Sequence, residues 1–339
     1  MRMHAGFARV ALAGTALIAA MPPARAIDPA AIATAPLPGP APEPPRHFDA
    51  GAAGTREPAA PIGGDDVVRL GHDGNDRMTV PVEITNEAGL HAPFAFLVDT
   101  GAERTVVART VTAALGLVPN GRGRLVSVAG LRDVDMVTVA SLALGRRSLY
   151  DLASPVLDAE AIGADGIIGL DGLQGQRILL DFDHNRLMLG DARALGGDRG
   201  FEIVVQARRK SGQLILTDAL VDGVRTAIVI DTGSDTSVGN AALARALSRN
   251  HPQETVQLLS VTGQQTTADL GMARTLTLGG MTLNNTLIAF TDAPPFDRLG
   301  LRRRPALLLG MAQLRLFHRV AIDFASRRIL FSVPGQPPA

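Results

Sequence analysis

The sequence contains no cysteine and no tryptophan, and it has a single tyrosine, Tyr150, and a single lysine, Lys210. Without cysteine there are no disulfides, thiolate nucleophiles, Cys-type zinc sites or lipid attachment at a thiol. With so few aromatic residues, a stacking platform for single-stranded nucleic acid is not expected. Charge of one sign is also lacking: 33 basic residues face 33 acidic ones, so no field draws the chain to nucleic acid or to an anionic membrane surface. The seven histidines are scattered without paired spacing, and neither a metal site nor a cofactor is expected. There is no Gly-x-Ser-x-Gly elbow, and "GRGRLVSVAG" does not fit the dinucleotide-binding pattern. The basic runs Arg208-Arg209-Lys210 and Arg302-Arg303-Arg304 read as solvated loops.

Long hydrophobic runs are scarce as well. The uncharged, apolar stretch from Val10 to Met21 is too short for a permanent bilayer anchor. It follows Arg2 and Arg9 and precedes Ala24-Arg25-Ala26, which is the order of a secretory signal peptide over residues 1–26. The mature chain is therefore expected to start near Ile27, to be periplasmic or extracellular, and not to insert in a membrane after cleavage. Residues 27–65 are Ala/Pro-rich, as in "PLPGPAPEPP". Such a composition buries little and reads as a disordered leader. Its few basic residues, Arg46 and Arg56, make it a poor plug for an acidic site.

Beyond the leader the chain repeats itself. Asp99-Thr100-Gly101 recurs as Asp231-Thr232-Gly233 at an offset of 132 residues, and Ser127-Val128-Ala129-Gly130 as Ser260-Val261-Thr262-Gly263 at 133. Ile167-Ile168-Gly169 recurs as Leu308-Leu309-Gly310 at 141, and Leu180-Asp181-Phe182 as Ile322-Asp323-Phe324 at 142. The one jump falls at "FTDAPPFDRLGLRRRP", read as a polar, Pro-rich loop that tolerates insertion. In each copy two β-rich segments flank a turn, Asn86–Gly89 or Val221–Val224, the second carrying the Asp-Gly of a tight hairpin. A short helix is expected after each Asp, in "ARTVTAALGL" and "NAALARALSR", and a closing hairpin ends each copy. The reading is mostly β, in two similar lobes over 70–195 and 198–334.

Both Asp residues follow a run of apolar strand residues, "FAFLVDTGA" and "TAIVIDTGS". An ionised carboxylate there is costly unless paired or hydrogen-bonded. The glycine two positions on permits close backbone approach, and the threonine between them can tie one loop to its neighbour. One such tripeptide is an ordinary turn; two, in register with a longer duplication, mark a site.

These residues resemble the retropepsin-like bacterial aspartic peptidases, relatives of retroviral proteases and pepsin. The resemblance covers residues 78 to 333 and rests on Asp99-Thr100-Gly101-Ala102, Asp231-Thr232-Gly233-Ser234, the later glycines Gly169 and Gly310, and the two Asp-Phe hairpins. It implies a bilobal acid-protease fold of two homologous retropepsin-like β-barrel lobes with short helices, complete in one chain and therefore active as a monomer. It implies that Asp99 and Asp231 share one proton and activate a water on a polypeptide substrate, with Thr100 and Thr232 cross-linking the loops beneath. It also implies flaps over the substrate, with tips at Ala129-Gly130-Leu131 and Thr262-Gly263-Gln264. A non-catalytic peptide-binding protein of the envelope on the same fold, or a structural envelope protein, is the alternative. Ser234 can donate a hydroxyl to Asp231 whereas Ala102 cannot donate to Asp99, so Asp231 is expected to ionise more readily and Asp99 to hold the shared proton.

Overall fold

The computed structural model describes residues 9–11, 17–19, 66–72, 77–247 and 254–333. The expected signal cleavage site and the expected leader at 27–65 lie outside the described residues. Two short N-terminal segments run along sheet edges, Arg9–Ala11 beside Thr255–Leu259 and Leu17–Ala19 beside Gly121–Ser127.

The duplication read from the sequence is a duplication of topology. In lobe one the sheet runs through strands 121–127, 130–144, 147–157, 106–108, 166–168, 91–98 and 78–85. In lobe two the order is 255–259, 265–278, 281–290, 237–239, 306–309, 224–230 and 213–221. Each sheet closes on itself, through Glu83–Thr85 against Ser141–Ala143 and through Leu220–Val221 against Leu276–Thr277. The protein is therefore a mostly β, bilobal structure of two barrel-like lobes. Closure removes the open edges on which sheets aggregate.

Local chemistry explains the elements. Asp222 and Gly223 both take positive φ, 47° and 82°, as the tight Asp-Gly hairpin turn requires. Asn86 caps the other turn by accepting the amides of Ala88 and Leu90 through Oδ1. The expected short helices form at Arg109–Leu115 and Ala241–Ala246, the second capped by Asn240 accepting the Leu243 amide at 2.8 Å. The segment read as a polar inserted loop instead contains the helix Pro294–Arg298, with Phe296, Leu299 and Leu301 buried. Proline is well suited to the first helical positions, and the apolar residues outweigh the polar composition around them. Likewise Arg208-Arg209-Lys210 finishes strand Ile203–Lys210 rather than lying in a loop, although all three side chains are exposed.

The two closing hairpins do more than end their lobes. Strand Arg177–Asp181 pairs antiparallel with Arg319–Asp323, Leu179 facing Ala321. Strands 186–190 and 66–69 extend this pair on one side, and 328–332 and 203–210 on the other. This six-stranded sheet joins the lobes.

Candidate active site

Each Asp sits one residue past the buried end of a strand, His91–Val98 or Val224–Ile230. Those strands are central because Gly166–Ile168 and Ala306–Leu309 run parallel beside them. The Asp99 amide donates to Ile168 O at 3.1 Å and the Asp231 amide to Leu309 O at 3.0 Å. The glycine after each of those strands is obligatory. A Cβ on Gly169 would overlap the Arg104 backbone, and one on Gly310 would lie 2.8 Å from Asp235 O and Thr236 O.

The loops meet across the lobe boundary. Thr100 Oγ1 donates to Ile230 O at 2.8 Å, and Thr232 Oγ1 donates to Val98 O at 2.7 Å. The amide of Thr100 donates to Thr232 Oγ1 at 3.0 Å, and that of Thr232 to Thr100 Oγ1 at 3.3 Å. Each threonine thus hands a proton to the opposite strand and receives one from the opposite amide. The arrangement is almost two-fold symmetric and fully buried.

It sets the two carboxylates against each other. Asp99 and Asp231 are each 1% exposed. A methyl group on Gly101 would touch both, 2.9 Å from Asp231 Oδ1 and 3.0 Å from Asp99 Oδ1, while one on Gly233 would overlap the Asp99 carboxyl group. The glycines are therefore what lets each carboxylate lie on the opposing loop. Asp99 Oδ1 accepts the amides of Gly101 at 2.7 Å and Ala102 at 3.1 Å, and its Oδ2 takes no backbone hydrogen bond. Asp231 Oδ1 accepts the Gly233 amide at 3.2 Å. Burial, and next the facing Asp231 charge, push Asp99 well above the usual carboxylate range, outweighing the amides of Gly101 and Ala102. Close carboxylates cannot both ionise freely, as in the aspartic-protease dyads that serve as the general example of this effect.

Ser234 does not act as the sequence suggested. Its buried hydroxyl donates to Thr236 O at 2.7 Å, within its own loop. The loop turns back on itself after Gly233, which takes the hydroxyl away from Asp231. Ala102, at the matching position, is fully buried and contributes its amide.

Several supporting residues escaped the sequence reading. Thr105 donates to Asp171 from both its amide, at 2.9 Å, and its hydroxyl, at 2.7 Å. In lobe two Ser237 Oγ donates to Gln313 Oε1 and accepts the Gly310 amide at 3.0 Å. These pairs keep the offsets of the landmarks, which was the available signal. Glu103 reaches the other lobe, pairing with Arg298 at 3.1 Å.

The two hairpins read as flaps turn at Val128–Ala129 and at Ser260–Gln264, and their tips meet. Ser127 Oγ lies 3.4 Å from Thr262 Oγ1, and Arg132 donates to Thr262 O. Gly130 faces the Gln264 side chain, and Gly263 faces Ala161 of the opposite lobe. Val128, Val261 and Thr262 are buried, whereas Leu131 is exposed. Among the described residues no group of His, Asp and Glu is arranged to hold a metal ion, and no helix is long and apolar enough to cross a membrane.

Two barrel lobes carrying paired Asp-Thr-Gly loops, cross-linked by their threonines, define the retropepsin-like class of aspartyl proteases. The aspartyl protease family model matches residues 80–171 and again 217–312, one match per lobe. The chain belongs to this family, with both repeats in a single polypeptide. No curated protein matches it.

Proposed function

We propose that the protein is an exported aspartic endopeptidase that hydrolyses polypeptide substrates with Asp99 and Asp231 as its catalytic pair. The observation that carries this reading is the meeting of two buried carboxylates on loops locked together by Thr100 and Thr232. Asp99 carries the shared proton on Oδ2, which no backbone amide occupies, and Asp231 takes a proton from the attacking water as general base. Through that oxygen Asp99 protonates the peptide carbonyl oxygen as the water oxygen bonds to its carbon. The C–N bond then breaks, Asp231 giving its proton to the leaving nitrogen and Asp99 recovering one from the diol hydroxyl. The two flaps cover the peptide and keep bulk water from the pair. Both loops lie on one chain, so a monomer suffices.

The test is cleavage of casein between pH 3 and 7 by the wild type, Asp99→Asn and Asp231→Asn, with a pepstatin arm suggested by the family. Each substitution is expected to leave a folded protein with less than about one per cent of the wild-type rate, acid–base contributions being typically 10²–10⁴-fold. A variant that keeps more than that removes the shared-pair mechanism. Peptide binding without cleavage by the wild type points instead to a non-catalytic binding protein.

A further inference from the structure

Gln213 opens strand Gln213–Val221 of lobe two, directly after a tight turn in which Ser211 and Gly212 have φ of 48° and 83°. It is 1% exposed. Its side chain crosses the lobe boundary, and Nε2 donates to Gly101 O at 2.6 Å. That carbonyl belongs to the Gly101–Ala102 peptide, whose N–H donates to Asp99 Oδ1 at 3.1 Å. One peptide unit is thus held at both ends, by Gln213 on its oxygen and by the Asp99 carboxylate on its nitrogen. Such chains of amides polarise one another, each bond strengthening the next.

The equivalent position in lobe one is occupied differently. Thr79 pairs with Leu97 as Ile215 pairs with Val229, each partner lying two residues before its Asp. Arg77 is therefore the counterpart of Gln213. Its guanidinium donates to Ile162 O, inside its own lobe. The Ala102 and Ser234 amides both bond the main-chain oxygen of their own Asp, at 3.3 and 3.4 Å, and the Ala102 amide also reaches the Asp99 carboxylate. The loop peptide that Gln213 holds is the one beside Asp99. This bond leaves Gln213 Oε1 buried and without a partner. A residue present only to fill space would be better apolar, so the position uses the amide's donor.

We propose that Gln213 is a positioning residue for the catalytic pair: from the opposite lobe it clamps the Gly101–Ala102 peptide, so that the Ala102 amide stays aimed at Asp99 Oδ1 and leaves Oδ2 without a backbone bond. This rests on the peptidase reading only for its catalytic consequence; the clamp itself is a property of the fold. The charged group facing Asp99 is Asp231. The neighbouring Glu103 is paired with Arg298, and Asp171 is occupied by Thr105.

The experiment follows the Asp99 carboxyl directly, by carbon NMR titration of Asp-labelled protein, alongside the pH profile of kcat/KM on casein peptides. Gln213→Met keeps length and volume without the donor, and Gln213→Asn keeps the amide but cannot span the gap. Thermal unfolding checks that each folds, so either variant can carry the test if the other does not. In both, Asp99 should titrate about half a pH unit higher, since a weakened bond to the ionised form disfavours that form. kcat/KM should fall about tenfold, mostly through kcat, as expected for slight misplacement of a reacting group. An Asp99 titration that does not move in a folded variant overturns the proposal. A shifted titration in a protein without peptidase activity upholds the clamp while removing the peptidase reading.

Discussion

Lobe one steadies its Asp loop with Thr105 and the carboxylate of Asp171, whereas lobe two does so with Ser237 and the neutral amide of Gln313. The joining sheet shows the same divergence. Arg177 and Arg319 occupy equivalent places, each directly opposite an Asp of the other lobe. Arg177 makes the ion pair, donating to Asp323 Oδ2 at 2.9 Å and to Asp198 Oδ1 at 3.0 Å. Arg319 turns away, donating to Gly200 O at 2.6 Å and stacking over Phe201 at 5.0 Å. Asp181, which faces it in register, binds His184 and Arg186 instead. Strand order, closure and the Asp-Thr-Gly loops are common to both lobes because they depend on main-chain bonds and glycine clearances. The polar side chains around them need only satisfy buried groups, which several combinations can do.

The largest expected break in this comparison is at the arginines. Arg177→Met should destabilise the protein by about 3–5 kcal/mol, because it leaves the buried Asp323 carboxylate without its cation. Arg319→Met should cost about 1 kcal/mol, the scale of a partly exposed cation–π contact. Denaturant unfolding of both compares them directly, and equal losses would mean that the pseudo-symmetric positions are equivalent after all. The Arg177 network also has a pH signature. Its bond to Asp198 holds that carboxylate below the usual range, and Asp323 is lowered too, burial being outweighed by Ser326 and Arg177. Stability from these groups is full above about pH 4, the unfolded carboxylate value, and is lost as pH falls through their lower folded values.

The active-site glycines give the next contrast. Gly233→Ala should reduce kcat by about 100-fold, since its Cβ would displace the Asp99 carboxyl group by a distance that costs that much. Gly101→Ala, with clearances of 2.9 and 3.0 Å to the two carboxylates, should reduce it by about tenfold. The reverse order would mean that Asp231 is the more tightly placed partner.

Asp99→Asn is expected to raise Tm at neutral pH by roughly 1–2 °C, about 1 kcal/mol for a protein of this size. The sign follows from Asp99 lying above its ordinary value. The unfolded chain ionises first, so rising pH favours unfolding until the folded carboxyl also ionises. The gain should therefore vanish below about pH 4, opposite to the trend of the Arg177 network. Scanning calorimetry across pH separates the two. The smallest effect is at Ser234→Ala, which removes a buried bond to Thr236 O at a cost of about 1 kcal/mol. The acid limb of its pH–rate profile should stay where it is. A moved limb would restore the hydroxyl as a partner of Asp231.

The sequence by itself determined the duplication, the strand-and-loop order of each lobe and the two Asp residues. These are local matters: apolar runs of strand length, an Asp-Gly turn, and an Asp-Thr-Gly tripeptide that recurs in register. Only the tertiary structure decided which side chains meet across the lobes. Thr100 and Thr232 could be named as cross-links, but Gln213 lies 112 residues from the carbonyl it clamps, and no spacing in one chain announces such a contact. Ser234 reads as a donor to Asp231 until the loop geometry turns its hydroxyl to Thr236. Pro294–Arg298 reads as a polar loop until Phe296 finds a core to enter. A side chain's partner depends on where the backbone carries it, and that path is set by packing between segments far apart in the chain.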